Sequence, residues 1–463
     1  MKLIALPLLV AFVLAGCAAV PPIDPSSLPA VPASFKEGDG RWTVAAPAEV
    51  QPRGEWWKAF SDPVLEDLVA RADRGNTSIR IAAARLAQAR AFVLSTEADR
   101  SVQVDAGANA ARLRGIVSNT AGPARSIFGI GANLSYEVDL FGRLARATDA
   151  AVLDVHAREG LLQSARLLVQ ADVAQAYLAL RSLDVERALV RSTVEAYRET
   201  LLLTERRYRA GDVAELDLAR ARTEVAATES EAIALDRRRA ELEHALALLI
   251  GEAASNFELG VADWNTALPV IPAGVPGTVL SRRPDVAAAQ NTMLAAQARV
   301  GVAQAAWFPR VALTATGGVA SPELGDLFTW PARAWGLGAL LSLPIFDGGR
   351  REAGVQSARA ELDAALAGYR EQILGAFRDV EDQLSALRLL AEQAQAQSRA
   401  VAAASRATAL SNTRYRNGLV SQLELLDAQR SELRNRREAL QVRSAQYQAT
   451  VGLVRALGGG WDS

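Results

Sequence analysis

The chain has 463 residues with 51 basic and 52 acidic side chains, and its formal net charge of −1 offers no basic footprint for nucleic acid. Its single cysteine, Cys17, excludes disulfides and argues against a redox or metal role. Only Lys2, Lys36 and Lys58 are lysines, so no Gly-Lys-Ser/Thr phosphate loop exists; with His156 and His244 isolated and no nucleophile elbow or zinc spacing, neither an enzyme nor a cofactor is expected.

Residues 1–16 read as a short signal peptide: Lys2, an apolar run from Leu3 to Leu14, then small residues before Cys17. The run is too short to span a membrane, and no later stretch is apolar enough for a transmembrane helix. Leu14-Ala-Gly-Cys17 resembles a bacterial lipoprotein signal, in which Cys17 becomes the lipidated first residue; Ala18, rather than Asp, after it favours the outer membrane. Residues 17–61 carry seven prolines and read as an extended tether that forms no helix.

From 62 to 251 the expected order is helix to about Arg100, a β-hairpin at about 101–140, a long helix, a tip turn at 208–213 and a returning helix. In the hairpin, Phe128, Ile130, Ala132, Leu134, Tyr136 and Val138 alternate strictly with small or polar residues, the period of a strand with one apolar face. No proline interrupts residues 124–268, and a helix from Arg143 to Arg207 would span ~96 Å, far beyond a globular helix. Gly211 breaks it, with Asp212 and Glu215 as an expected cap for the return.

Residues 252–283 form a Pro/Gly-bearing bridge, after which 284–463 repeats the first unit at an offset of 207 residues without a gap. Gly129-Ile-Gly-Ala132 falls on Gly336-Leu-Gly-Ala339, Gly142-Arg143 on Gly349-Arg350, Gly211 on Gly418 and Gly251 on Gly458. The second copy has its hairpin at about 308–346, with Trp335 to Ile345 alternating, its tip turn at 415–420, and Ser421 with Glu424 as the cap. A duplication without insertions means one structural unit built twice to the same length.

Strands with an apolar face fit a lipid-facing barrel, where every backbone group must be paired. Four strands cannot close one, since the smallest barrels have about eight, and three copies would supply twelve. The long helices then read either as a coiled-coil spacer or as the wall of a tube continuous with the barrel. Glu424 and Asp427, three residues apart, share a helix face that threefold assembly would repeat as rings, with Arg414 or Arg220 as compensating partners.

Taken together, Leu14-Ala-Gly-Cys17, Trp56-Trp57-Lys-Ala-Phe60-Ser-Asp62-Pro63, Glu137-Val-Asp-Leu-Phe-Gly-Arg143, Arg282-Arg283-Pro284-Asp285, Pro344-Ile-Phe-Asp-Gly-Gly-Arg350 and the paired tips Arg207-Tyr-Arg-Ala-Gly211 and Arg414-Tyr-Arg-Asn-Gly418 resemble the TolC-like outer membrane efflux proteins. The resemblance is to the lipoprotein branch serving resistance–nodulation–division (RND) pumps and covers nearly the whole mature chain. It implies a mixed α and β membrane protein: a homotrimeric twelve-stranded outer-membrane barrel continued by an α-helical periplasmic tunnel. The implied partners are a periplasmic membrane-fusion adaptor, an inner-membrane RND pump and outer-membrane lipid. By the same resemblance Arg414, Tyr415, Leu423, Glu424 and Asp427 match a periplasmic aperture, and Gly211 and Gly418 the turns where the adaptor engages. The first copy has Arg220 where the second has Asp427, so the aperture need not behave symmetrically. A type I protein-secretion conduit would share this architecture, but the lipid anchor and Trp56-Trp57 favour efflux. A periplasmic coiled-coil adaptor or structural lipoprotein would need neither the β-hairpins nor the duplication.

Overall fold

The computed structural model describes residues 28–37, 54–114, 124–269, 271 and 282–459; the expected signal peptide, Cys17 and most of the tether lie outside the described residues. The elements in chain order are α1 (Pro63–Gly75), α2 (Thr77–Ala98), β1 (Gln103–Leu113), β2 (Arg125–Val138), α3 (Arg143–Arg209), α4 (Glu215–Ile250), α5 (Pro284–Ala305), β3 (Arg310–Ser321), β4 (Arg333–Ser342), α6 (Arg350–Arg416) and α7 (Gln422–Ala456). The helices α3 and α6 are each 67 residues long, about 100 Å at 1.5 Å per residue. Among the described residues no helix is long and apolar enough to cross a membrane.

The chain divides into two compact units. The first holds residues 84–160 and 288–371 and is built on one antiparallel sheet of order β1-β2-β3-β4. The two hairpins are zipped to each other through β2 and β3, with Phe128 opposite Ser321 and Val138 opposite Val311. The register keeps the alternation in phase across all four strands: Val104, Leu134, Ala315 and Leu337 form one apolar row, and Val138, Val311 and Leu341 another. The opposite face bears rows such as Asp105, Asn133, Thr316 and Gly336. Among the described residues the two edges, β1 and β4, have no further strand partner. β4 ends at Ser342, so Leu343 and Ile345, expected within the strand, fall beyond it; Pro344, which has no N–H to donate, stops it.

Each strand-to-helix transition is tied by an aspartate. Asp139 accepts from the backbone N–H of Leu144 (3.1 Å) and Ala145 (2.8 Å) at the start of α3, while Glu137 holds Arg143 at 2.9 Å. In the second copy Asp347 accepts from the N–H of Gly349 (3.1 Å) and Arg351 (3.2 Å), with Gly348 and Gly349 at positive φ. An anionic side chain on unpaired N–H groups at a helix start is favourable on both hydrogen-bond and dipole grounds. The Arg351 guanidinium holds the Asp347 carboxyl below its ordinary range.

The second unit holds residues 29–83, 161–287 and 372–463. Its core gathers Trp56, Trp57, Phe60, Leu65, Leu68, Leu246, Ile250 and Leu453. The 3₁₀ turn Trp56–Phe60 corrects the expectation of an extended tether through residue 61: this stretch lies beyond the last tether proline, and its three aromatic rings are buried. Asp62 accepts four bonds, from the N–H of Val64 and Leu65 and the hydroxyls of Tyr177 (2.8 Å) and Thr266 (2.7 Å). The single helix expected to about Arg100 is two helices. The first closes at Gly75, where a side chain would clash with the Ile250 carbonyl; the extended backbone of Asn76 breaks the helix, and its side chain caps the second through the N–H of Ser78 (2.8 Å). Upstream, Phe35 is buried edge-on to Phe377, and the Glu381 carboxylate accepts the N–H of Lys36 (2.7 Å) and Glu37 (3.0 Å).

Candidate functional site

The paired turns that return α3 into α4 and α6 into α7 are built alike. The N–H of Gly211 bonds the Tyr208 carbonyl (3.0 Å) and that of Asp212 the Arg207 carbonyl (2.9 Å); Gly418 repeats the first bond to Tyr415 and Leu419 the second to Arg414, at the same distances. Two crossed bonds around a left-handed residue satisfy the last carbonyls of each helix. Gly211 and Gly418 hold φ at +81 and +70, which favours glycine, and their flanks are open. Ser421 caps α7 through the N–H of Glu424 (3.3 Å). Asp212 does not cap α4: its N–H closes the turn, and the N-cap position falls on Ala214, which has no side-chain acceptor.

Four helix segments approach these turns. Within each repeat the long and returning helices run antiparallel, linked by Arg198 to Glu229 (2.6 Å) and Arg187 to Asp236 in the first, and by Ser405 to Glu432 (2.8 Å) in the second. Between repeats, α4 and α7 run side by side through two pairs one heptad apart, Arg430 with Glu224 (Nε to Oε2 2.9 Å) and Arg437 with Glu231; Arg437 also donates to Glu186 on α3 at 2.8 Å. The Glu224 contact raises the Arg430 pKa above its ordinary value. Beneath this ladder Tyr197, Val225 and Leu426 form a buried cluster flanked by Leu201, and burial pushes the Tyr197 hydroxyl up to about 12.

Tyr415 is the buried member of the expected aperture set. Its hydroxyl lies 3.2 Å from that of Thr204, which itself donates to the Thr200 carbonyl, and its ring lies 4.8 Å from the Arg207 guanidinium. Arg207 also donates to the Tyr415 and Arg416 carbonyls, at 3.3 and 3.4 Å. α6 is thereby latched to α3 at their far ends. The remaining candidates are more open. Arg414 lies 3.8 Å from Glu424, Asp427 lies 3.9 Å from Arg430, and Leu423 is exposed. Arg220 pairs with Asp217 within its own helix at 3.8 Å instead of reaching Glu424 or Asp427. Exposed pairs of this kind contribute about 0–1 kcal/mol each. Sequence reading assigned no role to Thr204, Arg430 or Arg437 and placed Arg207 only in the tip motif; the seven-residue spacing shared by Arg430/Arg437 and Glu224/Glu231 was the available signal.

Among the described residues no group of acidic or histidine side chains is arranged to hold a metal ion. The family model "Outer membrane efflux protein" matches residues 68–252 and again residues 275–459, the same 207-residue offset. The chain is similar to the solvent efflux pump outer membrane protein SrpC of Pseudomonas putida, at 33% identity over 100% of this chain and 99% of that protein. It is similar to outer membrane protein OprJ of Pseudomonas aeruginosa, at 34% over 98% and 95%. Among solved structures, the outer-membrane channel OprN superposes with a TM-score of 0.87 at 31% identity, covering 96% of this chain and 100% of that one.

Proposed function

The chain belongs to the outer membrane efflux protein family, and on that basis we propose that three copies close one twelve-stranded barrel, β4 of each beside β1 of the next. The assembly is the outer-membrane channel of a tripartite efflux system. It passes small toxic molecules handed on by a periplasmic adaptor and an inner-membrane RND pump; the Pseudomonas putida relative is named a solvent efflux pump outer membrane protein. The carrying observation is the four-stranded sheet with one apolar face and two unpartnered edges, in a chain whose two 67-residue helices have equal length. Such a sheet cannot be stable alone in lipid, because each edge leaves a row of unpaired backbone groups. No catalytic step is assigned to it.

Within this reading the paired turns are the periplasmic end. Gly211 and Gly418 mark where the adaptor engages, and the Tyr415 latch with the Arg414–Glu424 and Arg430–Asp427 pairs holds the aperture narrow. Weak exposed pairs suit an opening that must be reversible. Cys17 carries acyl chains that supplement the barrel as an anchor, which radioactive palmitate incorporation tests. The central test is twofold. The purified protein gives a heat-modifiable, SDS-resistant oligomer that conducts in planar bilayers, and its gene restores solvent or drug tolerance to a strain lacking its own outer-membrane channel. Monomer at every temperature with no conductance would overturn the proposal.

A further inference from the structure

The apolar sheet face is nearly free of charge. Its strand positions carry no carboxylate, and its only charged residues are Arg112 near the end of β1 and Arg333 at the start of β4. Both lie at the loop end of the sheet, away from the strand ends that lead into α3 and α6. The opposite face, by contrast, mixes signs, with Asp105, Glu137, Arg125 and Arg310. Two like charges confined to one rim of an otherwise apolar surface point to something of opposite sign at that rim.

Arg333 is also held in a particular way. Its guanidinium stacks on the Trp330 ring at 3.7 Å from the centroid, and among the described residues no carboxylate lies within ion-pair distance of it. Stacking fixes the plane while leaving the N–H edge open, the geometry that grips a phosphate through two parallel bonds. Trp330, Trp335 and Phe328 stand exposed around it, side chains that settle at a membrane–water boundary. Near the interface an arginine in a barrel wall costs far less than at the midplane, so a single head-group contact offsets it.

We infer that the loop end of this face binds phosphate-bearing head groups of outer-leaflet lipid, with Arg333 propped on Trp330 as the principal contact and Arg112 as a second. The inference rests on the reading of this face as lipid-facing. The test is native mass spectrometry of the full-length oligomer, titrated with a diphosphorylated glucosamine-disaccharide lipid and with the same lipid stripped of phosphate. Wild type retains the phosphorylated lipid preferentially. Arg333→Gln weakens it about tenfold, the loss of one charge-assisted bidentate contact, and leaves the stripped lipid unchanged. Arg112→Gln and Trp330→Leu give smaller losses of the same kind and keep the test open if Arg333→Gln assembles poorly. Equal retention of the two lipids, or equal behaviour of wild type and all three variants, overturns the inference while a conducting oligomer keeps the channel reading intact. Failure of wild type to assemble and conduct overturns both.

Discussion

Arginine placed at Leu337 is the sharpest probe of the sheet's two faces. Leu337 is the fifth of ten residues in β4, sits on the apolar face opposite Ala315 and is 78% exposed in the single chain. Ten residues at about 3.3 Å each, tilted about 40°, rise about 25 Å, which matches the apolar band of a barrel and puts Leu337 at its midplane. Leu337→Arg therefore costs about 2–4 kcal/mol per chain, whereas Leu341→Arg, one residue from the strand end, costs about 0–1 kcal/mol. Over three copies the midplane change totals about 6–12 kcal/mol, comparable with the whole stability of a folded domain. Thr316→Arg is the control, because Thr316 lies one row away on the other face, between Asn133 and Gly336. The assay is the urea midpoint of the heat-modifiable oligomer in phosphatidylcholine vesicles, with the three variants in parallel. Equal midpoints for Leu337→Arg and Thr316→Arg, or no difference between Leu337→Arg and Leu341→Arg, would refute the lipid-facing assignment.

The latch gives a second test. Tyr415→Phe removes a hydroxyl contact of about 0.5–1.5 kcal/mol and raises single-channel conductance modestly, and Arg207→Ala, which also loses two carbonyl bonds and the ring contact, raises it further; unchanged conductance in both would place the constriction elsewhere. Asp62→Ala strips the acceptor from two buried hydroxyls and two helix N–H groups and lowers stability by about 3–5 kcal/mol, read as a fall in the thermal midpoint. Asp172 has its carboxyl pKa raised, burial outweighing Arg455, so in the folded chain it holds its proton to higher pH and penalises folding once ionised. Asp172→Asn accordingly raises the thermal midpoint at pH 7, and the gain disappears as pH falls below the unfolded carboxylate range; a gain confined to acid pH would contradict the sign.

Much of this architecture was legible in the sequence because its signals are local and doubled. The alternation in residues 128–138 reappears in phase on four strands, and Gly211 and Gly418 terminate helices through identical bond patterns. What stayed hidden depends on contacts distant in sequence. Residue 75 must be glycine because the backbone of Ile250 and Gly251 crosses it closely, which no local pattern reports. Trp56 and Trp57 follow a proline-rich stretch yet pack in the core, since burial of aromatic surface outweighs the loop-like composition before them. At the candidate site, Tyr415 stood out, but its partners Thr204 and Arg207 lie some 200 residues earlier, and the pairing follows only once α3 and α6 are set side by side.

The unpartnered edges of β1 and β4 also bear on inheritance. A copy whose β1 edge is damaged leaves the β4 edge of a sound neighbour unclosed, so the fault spreads beyond the molecule that carries it. With defective and sound copies made in equal amounts and mixed at random, only about one ring in eight is wholly sound when closure takes three subunits. Edge-strand mutations should therefore be dominant over a functional allele, while lesions buried within one chain's own helix pairs, which prevent that copy from folding at all, should be recessive.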